Sequence, residues 1–237
     1  YRLCDGFPEG RATGKALHLP TNRTVEITLI PFIEIPGSRD DVTGRRDLWG
    51  SREWSIRSLI QHDNLEPLRD YGRCEVHRCH YAVSDAPNAV PLSRLPLPVP
   101  VPVAMSVLVG IAQALAALHA GGEDGRAVVH GGVGLDSVRL VSAPARRVLL
   151  CGFANMTYAN EPRPDGTGPA QPADDIRALG AVMEPLLFRA PVPAGGRAPV
   201  RASFARLQRV LAAMRAPEGA DPLAAEQVLA QLVPPAG

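Results

Sequence analysis

Residues 128–154 constrain the fold more than any other part of the chain, because two short apolar runs lie there on either side of a turn. The runs are residues 137–141 (Ser-Val-Arg-Leu-Val) and 148–151 (Val-Leu-Leu-Cys), and Ala-Pro-Ala-Arg at 143–146 separates them. Short aliphatic and β-branched runs bounded by glycine and proline are typical of strands. The sequence therefore predicts a strand–turn–strand unit, preceded by a glycine-rich loop at 131–134.

Several stretches of the chain resemble motifs of protein kinases. Residues 130–137 (HGGVGLDS) resemble the catalytic loop H-R-D-L-x-x-x-N, and residues 152–154 (GFA) lie where D-F-G is found. Residues 62–72 (HDNLEPLRDYG) resemble H-P-N-I-V-x-L-L-D-Y-G, and residues 174–182 (DDIRALGAV) resemble a D-V-x-S-L-G helix. Over nearly its whole length the chain is similar to the bacterial Ser/Thr protein-kinase-like family, as a degenerate member.

The resemblance implies that the chemical residues of the family have been replaced. In that family the loop aspartate is the catalytic base, and the loop asparagine and the D-F-G aspartate hold Mg²⁺. Gly132, Ser137 and Gly152 stand at these positions, and Gly134 replaces the loop lysine. Thr28 stands at the ATP-binding lysine of the V-A-I-K strand. Because glycine cannot accept a proton or bind a hard cation, we interpret the chain as a pseudokinase without enzymatic activity.

Nucleotide binding without Mg²⁺ is an alternative that the sequence leaves open. Lys15 is the single lysine, and in the with-no-lysine kinases the second strand supplies the missing lysine. Glu53 stands where the helix glutamate of the family would pair with that lysine. If Gly14 is the third glycine of G-x-G-x-x-G, Glu9 and Arg11 occupy the first two positions, which favours an ordinary hairpin over a phosphate cradle. We therefore expect no cofactor, with weak candidates for ATP contact at Lys15 and Glu53.

The residues that match the family motifs imply structural roles rather than catalytic ones. By resemblance, His130 and Phe153 brace the loop by packing, and Asp175 accepts hydrogen bonds from the backbone around His130. The activation segment at 155–173 is short and carries no Ala-Pro-Glu motif, and Asp221 replaces the arginine that would pair with its glutamate. No metal site is expected anywhere in the chain.

The predicted fold class is α+β, as a two-lobed protein-kinase-like fold. Residues 1–85 form a small β-rich N-lobe with one helix at 48–61, and residues 86–102 form the hinge and a proline-rich connector. Residues 103–237 form a larger, mostly helical C-lobe with a reduced activation segment. Its central element is a nearly apolar helix at 103–119, which we expect to be buried.

Composition sets limits on partners. The formal net charge is +1 and the cationic residues are scattered, so we expect no nucleic-acid binding and no membrane contact by this domain. No apolar run is expected to approach the roughly 20 residues that span a bilayer. The start without Met suggests an excised domain, whose parent chain could be membrane-anchored while this domain is cytoplasmic. The four cysteines are expected to be reduced.

A zinc site is the alternative interpretation of one cysteine- and histidine-rich stretch. Cys74, His77, Cys79 and His80 lie close together in sequence. Strand alternation places Cys74 and Cys79 on opposite faces unless the turn intervenes, and zinc ligands usually come in pairs separated by a longer loop. We therefore expect two antiparallel strands here and no bound metal.

Three functions remain open at this point. The leading hypothesis is a scaffold or regulatory module that binds a protein partner or other domains of its parent chain. The second is a nucleotide sensor that works without metal. The third is a non-phosphoryl transferase on the same fold, for which Asp136 and Glu53 are the candidate acidic residues.

Overall fold

The structure is a computed structural model, and it describes most of the chain. The described residues are 1–3, 13–31, 56–77, 79–85, 89–122, 125–141, 147–153, 155–163, 166–187, 198–215 and 223–232.

A five-stranded antiparallel sheet forms the N-terminal part. Its strands are β1 (Arg2–Leu3), β2 (Thr13–His18), β3 (Arg23–Pro31), β4 (Leu68–Cys74) and β5 (Cys79–Ser84). Their spatial order is β1-β2-β3-β5-β4, so β4 is an edge strand. The alternation of Val25 and Ile27 predicts one buried face of β3, and both residues pack there with Ala16 and Val83. Of the predicted helix at 48–61, the described part contains a helical turn at 56–59.

A three-stranded sheet connects the two parts of the fold. It consists of β6 (Ala89–Pro91), β8 (Val138–Val141) and β9 (Arg147–Leu150), in the order β6-β8-β9. The pairing of β8 with β9 confirms the predicted strand–turn–strand unit. Strand β6 was not expected, because its three residues lie in the predicted hinge and carry no alternation. A 3-10 helix (Leu92–Arg94) follows it.

Within the described residues, the C-terminal part contains four helices. They are α1 (Val101–Ala120), α2 (Pro172–Leu187), α3 (Ala198–Met214) and α4 (Ala225–Leu232). Helix α1 packs against α2, α4 and β9 and supplies many of the fully buried side chains of the main core. It begins two residues earlier than predicted, with Pro102 in its first turn, where the missing N–H is not needed. The predicted α+β arrangement of a β-rich part followed by a helical part is confirmed.

The expectation that no apolar run approaches membrane-spanning length is wrong. Helix α1 has 20 residues, and an 18-residue window within it has a mean hydropathy of 2.1, so its length and composition suit a membrane span. Half of that window is nevertheless buried inside the domain, where Leu108, Ile111 and Leu115 are inaccessible to solvent. The high hydropathy is explained by core packing, because α1 has neighbours on several sides.

The segment after Phe153 folds back on itself. Strand β10 (Thr157–Tyr158) pairs with β7 (Val128–Val129), the strand that leads into the glycine-rich loop. Backbone hydrogen bonds then join Asn160 to Ala170, Ala170 to Glu161, and Arg163 to Gly168. These bonds form a short hairpin immediately before α2.

The two cysteines of the β4–β5 hairpin lie on the same face, because a turn intervenes between them, which is the exception that the sequence analysis allowed. Cys74 and Cys79 are direct register partners, and the turn includes residues 75–77. Both thiols are free, and burial raises the pKa of Cys79. Within the described ranges, no group of three or more His, Cys, Asp or Glu residues could hold a metal ion.

Candidate functional site

Asp175 organises the loop that the sequence matches to the catalytic loop. It lies in the first turn of α2 and is 1% exposed. One carboxylate oxygen accepts hydrogen bonds from the His130 backbone N–H at 2.8 Å and from His119 Nε2 at 3.1 Å. The other accepts from the Gly131 N–H at 2.9 Å. A buried carboxylate with three donors is well satisfied, and it fixes the start of the loop to the helical core.

His130 is fully buried, and both of its ring nitrogens have partners. The Gly132 N–H donates to Nδ1 at 3.2 Å, so Nε2 carries the proton and donates to the Cys151 carbonyl at 3.1 Å. This arrangement requires the neutral ring, and burial lowers the pKa of His130 accordingly. His130 therefore joins the loop to the end of β9 and is not placed to act as a base.

Phe153 and Arg57 complete the packing around this loop. The Phe153 ring contacts His130 edge-on, with 5.3 Å between the ring centroids. On its other side, the Arg57 guanidinium lies 4.7 Å from the Phe153 centroid. The sequence-predicted residues His130, Phe153 and Asp175 thus lie together in one connected assembly.

The positions that carry chemistry in the resembled family hold no acid, base or metal ligand here. Gly132, Gly134 and Gly152 have no side chain. The Ser137 hydroxyl is engaged within its own turn, accepting from the Gly134 N–H at 2.8 Å and donating to the Gly134 carbonyl at 3.1 Å. Asp136, the acidic candidate for another transferase, is exposed and accepts a hydrogen bond from Ser93.

Gly131 and Gly152, which lie at the glycine-rich loop and after β9, have backbone conformations that other residues rarely adopt. Gly131 has φ of +70°, and a Cβ added there would lie 2.7 Å from the carbonyl oxygen of Asn155. Gly152 has φ of +78°, although there is room for a Cβ beside Ser137. An aspartate at 152 would therefore have to adopt the left-handed region, which costs free energy for residues with a Cβ.

A cluster of charged side chains lies between β3 and β8, in the cleft between the two parts of the fold. Arg139 Nη1 on β8 donates to the carboxylate of Glu26 on β3 at 2.6 Å and lies 3.5 Å from the carboxylate of Glu66. Ser84, the residue opposite Glu26 on β5, donates to Glu66 at 2.9 Å. The three charged side chains are 12–20% exposed. We call Glu26, Glu66 and Arg139 the cleft cluster.

Burial shapes the electrostatics of the cleft cluster. Burial raises the pKa of Glu66, while Arg139 acts against that shift. Burial also raises the pKa of the adjacent Cys151 thiol well above its usual value, so this cysteine is neutral. A single arginine therefore faces two carboxylates, one of them strongly desolvated.

The sequence analysis missed the cleft cluster, although a signal for two of its members was present. In the V-A-I-K match, Val25-Glu26-Ile27-Thr28 places Glu26 at the alanine. In the match at 62–72, Glu66 stands at the valine of H-P-N-I-V. A charge at an apolar motif position requires a partner in the fold, and the partner here is Arg139.

Lys15 and Thr28 lie on the same side of the sheet. Thr13 pairs with Thr28 and Lys15 with Glu26, and the hydroxyls of Thr13 and Thr28 are 3.3 Å apart. Register partners in antiparallel strands share a face, so the backbone places Lys15 on the face that carries Thr28 and Glu26. Lys15 is exposed. The other weak candidate, Glu53, lies outside the described residues.

These residues do not fit ATP with Mg²⁺. The family holds the metal with carboxylate and amide oxygens and the phosphates with a strand lysine, whereas the matched positions offer glycines, an engaged serine and Thr28. The cleft that would receive the nucleotide is crossed by the ion pair between Glu26 and Arg139. Of these positions, only Ser137 and Thr28 could offer a side-chain oxygen.

The fold itself is that of a protein kinase domain. Two solved structures of the PknI kinase domain from Mycobacterium tuberculosis, both double mutants, superimpose with TM-scores of 0.65 and 0.66. Each alignment covers 98% of this chain and 92% of the solved chain, at 20% sequence identity. The predicted two-lobed kinase-like fold is therefore confirmed. No protein-family model matches the sequence, and no curated protein matches it.

Proposed function

We propose that this chain is a catalytically inactive, kinase-like module of a bacterial protein, and that it acts by binding a protein partner or other domains of its parent chain in the cytoplasm. The observation that carries the proposal is the cleft cluster. Arg139 joins β3 to β8 where a kinase would hold its nucleotide, and the neighbouring loop offers glycine at the base position. The packing that braces the loop is retained while the means of phosphoryl transfer are lost.

The loop network supports a role as a rigid surface rather than as a reaction site. Asp175, His119 and His130 use their polar atoms on one another and on the backbone, so they are not available to a substrate. The hairpin at 160–170 is likewise closed by its own backbone hydrogen bonds. Well-satisfied buried networks favour a single conformation, which suits a module that presents a fixed surface.

The first test is phosphoryl transfer combined with thermal unfolding. Radiolabelled ATP with Mg²⁺ or Mn²⁺ is expected to give no incorporation into the chain or into a generic substrate protein. The melting temperature is expected to stay constant on adding millimolar-range ATP or ADP, with Mg²⁺ or with EDTA, because a ligand must bind the folded state to shift it. Metal-dependent incorporation above that of heat-denatured protein would overturn the proposal.

A nucleotide sensor is the second candidate, and the position of Lys15 favours it. The backbone places Lys15 on the cleft side of the sheet with Thr28. If this candidate is correct, ATP raises the melting temperature equally with Mg²⁺ and with EDTA, and Lys15→Ala abolishes the shift. Arg23→Ala, an exposed residue on the adjacent strand β3, is the matched control and should keep it.

A further inference from the structure

A pocket beside the helical turn at 56–59 brings three arginines together. It lies between the helical turn at 56–59, the following loop, β4 and the start of β9, and its volume is about 560 Å³. Arg57, Arg69 and Arg147 line it, each from a different part of the chain, together with Gln61 and Tyr71. Pockets of this volume are large enough for several side chains of a ligand. We call it the arginine pocket.

Arg57 gives the pocket a buried positive charge. The residue is 3% exposed, and its guanidinium donates to the backbone carbonyls of Ile60 and Glu66. Its Nε is buried without a hydrogen-bond partner. Burial lowers the pKa of Arg57 to about 10, which reflects a cation that carbonyl groups only partly compensate. An anion in the pocket would supply the missing negative charge.

The other charged residues leave the pocket positive. Arg147 is exposed at the start of β9, and Arg69 is exposed on β4 and pairs with Asp85. Asp63 is the one carboxylate among the described lining residues, against three arginines. Arginine in a partly desolvated site binds carboxylates and phosphates well, because its planar fork offers paired donors.

The edge of the sheet indicates that the anion belongs to a protein segment. Strand β4 lines the pocket through Arg69 and Tyr71, and it is the outermost strand of the five-stranded sheet. In the part of the chain that the structure describes, no strand pairs with its outer side. Arg69, Tyr71 and Arg73 alternate as exposed residues along it. Open edges accept extended peptides through backbone hydrogen bonds, and side-chain pockets beside them supply specificity.

From these observations we infer that the arginine pocket and the outer edge of β4 bind an extended, acidic segment of a protein partner. This inference rests on the proposed function as a binding module and names the chemistry of its partner. Alternate acidic side chains of the segment meet Arg147 and Arg69, while its backbone pairs along β4. The pocket borders the cleft cluster, because Arg57 donates to the backbone carbonyl of Glu66, and it requires no nucleotide.

The test uses fluorescence anisotropy with a labelled peptide of about eight residues in which glutamate alternates with valine. The whole chain is expected to bind it, and Arg147→Glu is expected to weaken binding about fivefold or more. Arg206→Glu, the same charge change at an exposed site on α3, should stay within about twofold of the unaltered chain. Raising NaCl from about 25 mM to about 300 mM should weaken binding.

Two further measurements test whether the pocket selects an acidic, extended peptide. A peptide with lysine in place of glutamate should not bind, and amide hydrogen exchange across β4 should slow when the acidic peptide is bound. No binding of the acidic peptide, equal binding of both peptides, or equal affinity of Arg147→Glu and the unaltered chain would each overturn the inference. Inorganic phosphate binding as tightly as the peptide would also overturn it, by showing a simple anion site.

Failure of this inference is distinguishable from failure of the proposed function. The phosphoryl-transfer assay depends on the cleft and the glycine-rich loop, and Arg147 lies outside both. If neither phosphoryl transfer nor peptide binding is observed, the proposal of an inactive module is retained and the acidic-segment inference is rejected. If phosphate is incorporated and the peptide binds, the proposal of an inactive module is rejected and the acidic-segment inference is retained.

Discussion

Arg139 Nη1 lies 2.6 Å from the carboxylate of Glu26, so one hydrogen-bonded ion pair joins a strand of the N-terminal sheet to a strand beneath the cleft. Residue 26 and residue 139 are 113 positions apart in the chain. The pair therefore fixes the relative position of two parts that are distant in sequence.

Removing Arg139 is expected to destabilise the fold. Arg139→Ala leaves Glu66 desolvated beside Glu26 without its ion-pair partner, so we expect a loss of about 2 kcal/mol in the free energy of unfolding. Urea denaturation measures the change. Combining Arg139→Ala with Glu66→Gln should recover about half of the loss, because the amide carries no charge. Equal stability of the single and double variants would contradict this account.

Asp175→Ala is expected to cost about 3 kcal/mol of unfolding free energy, because it leaves the N–H groups of the buried His130 and of Gly131, and the ring of His119, without an acceptor. Urea denaturation and hydrogen exchange of these two amides report the effect. Asp63→Ala, at an exposed carboxylate, is the control and should change the free energy by less than about 0.5 kcal/mol. A loss confined to α2, with the loop amides still protected, would refute the role assigned to Asp175.

His130 is expected to make stability depend on pH. Its folded-state pKa is lowered, so below about pH 6.5 the unfolded chain binds a proton that the folded chain does not. The free energy of unfolding therefore falls as the pH falls, by up to about 1.4 kcal/mol per pH unit. Comparing the chain with His130→Gln at pH values of about 7.5 and 5.5 isolates this contribution from that of Glu66.

The difference in unfolding free energy between the chain and His130→Gln should shrink at the lower pH. His77→Gln, at an exposed histidine in the β4–β5 turn, should show no such change. A difference for His130→Gln that stays constant across this pH range would mean that His130 accepts a proton in the folded state as readily as in the unfolded one.

Restoring an aspartate at 152 is expected to destabilise the chain without restoring activity. Gly152 has φ of +78°, so Gly152→Asp should cost about 1 kcal/mol. Gly134→Ala is the matched control, because Gly134 has no atom within 4 Å of an added Cβ and is not in the left-handed region. Phosphoryl transfer should stay absent in the Gly132→Asp, Gly152→Asp double variant, because the cleft cluster and Thr28 remain.

Much of the fold could be predicted because its signals are local. The pairing of β8 with β9 follows from two apolar runs and a proline turn, and α1 follows from an unbroken apolar stretch. Strand β6 has only three residues, and its pairing partner β8 lies almost 50 residues away. Such a strand is determined by tertiary pairing rather than by its own sequence.

The candidate site could also be predicted only in part. The glycines at the matched positions of the family acids, Gly132 and Gly152, can be recognised from the sequence, because the residues of each motif are contiguous in the chain. The cleft cluster joins three separate segments, so no local pattern contains it. Cys74 and Cys79 illustrate the same limit on a small scale, since their shared face depends on the register that the turn imposes.

The backbone at Gly131 bears on how the chain can change over evolutionary time. The Asn155 carbonyl oxygen lies 2.7 Å from the place where any side chain at 131 would begin, and the left-handed φ there excludes most other residues. The space that a side chain at 131 would need is occupied by the backbone of Asn155. A single substitution at this position therefore meets a steric clash, and any larger residue requires a concerted movement of the facing backbone.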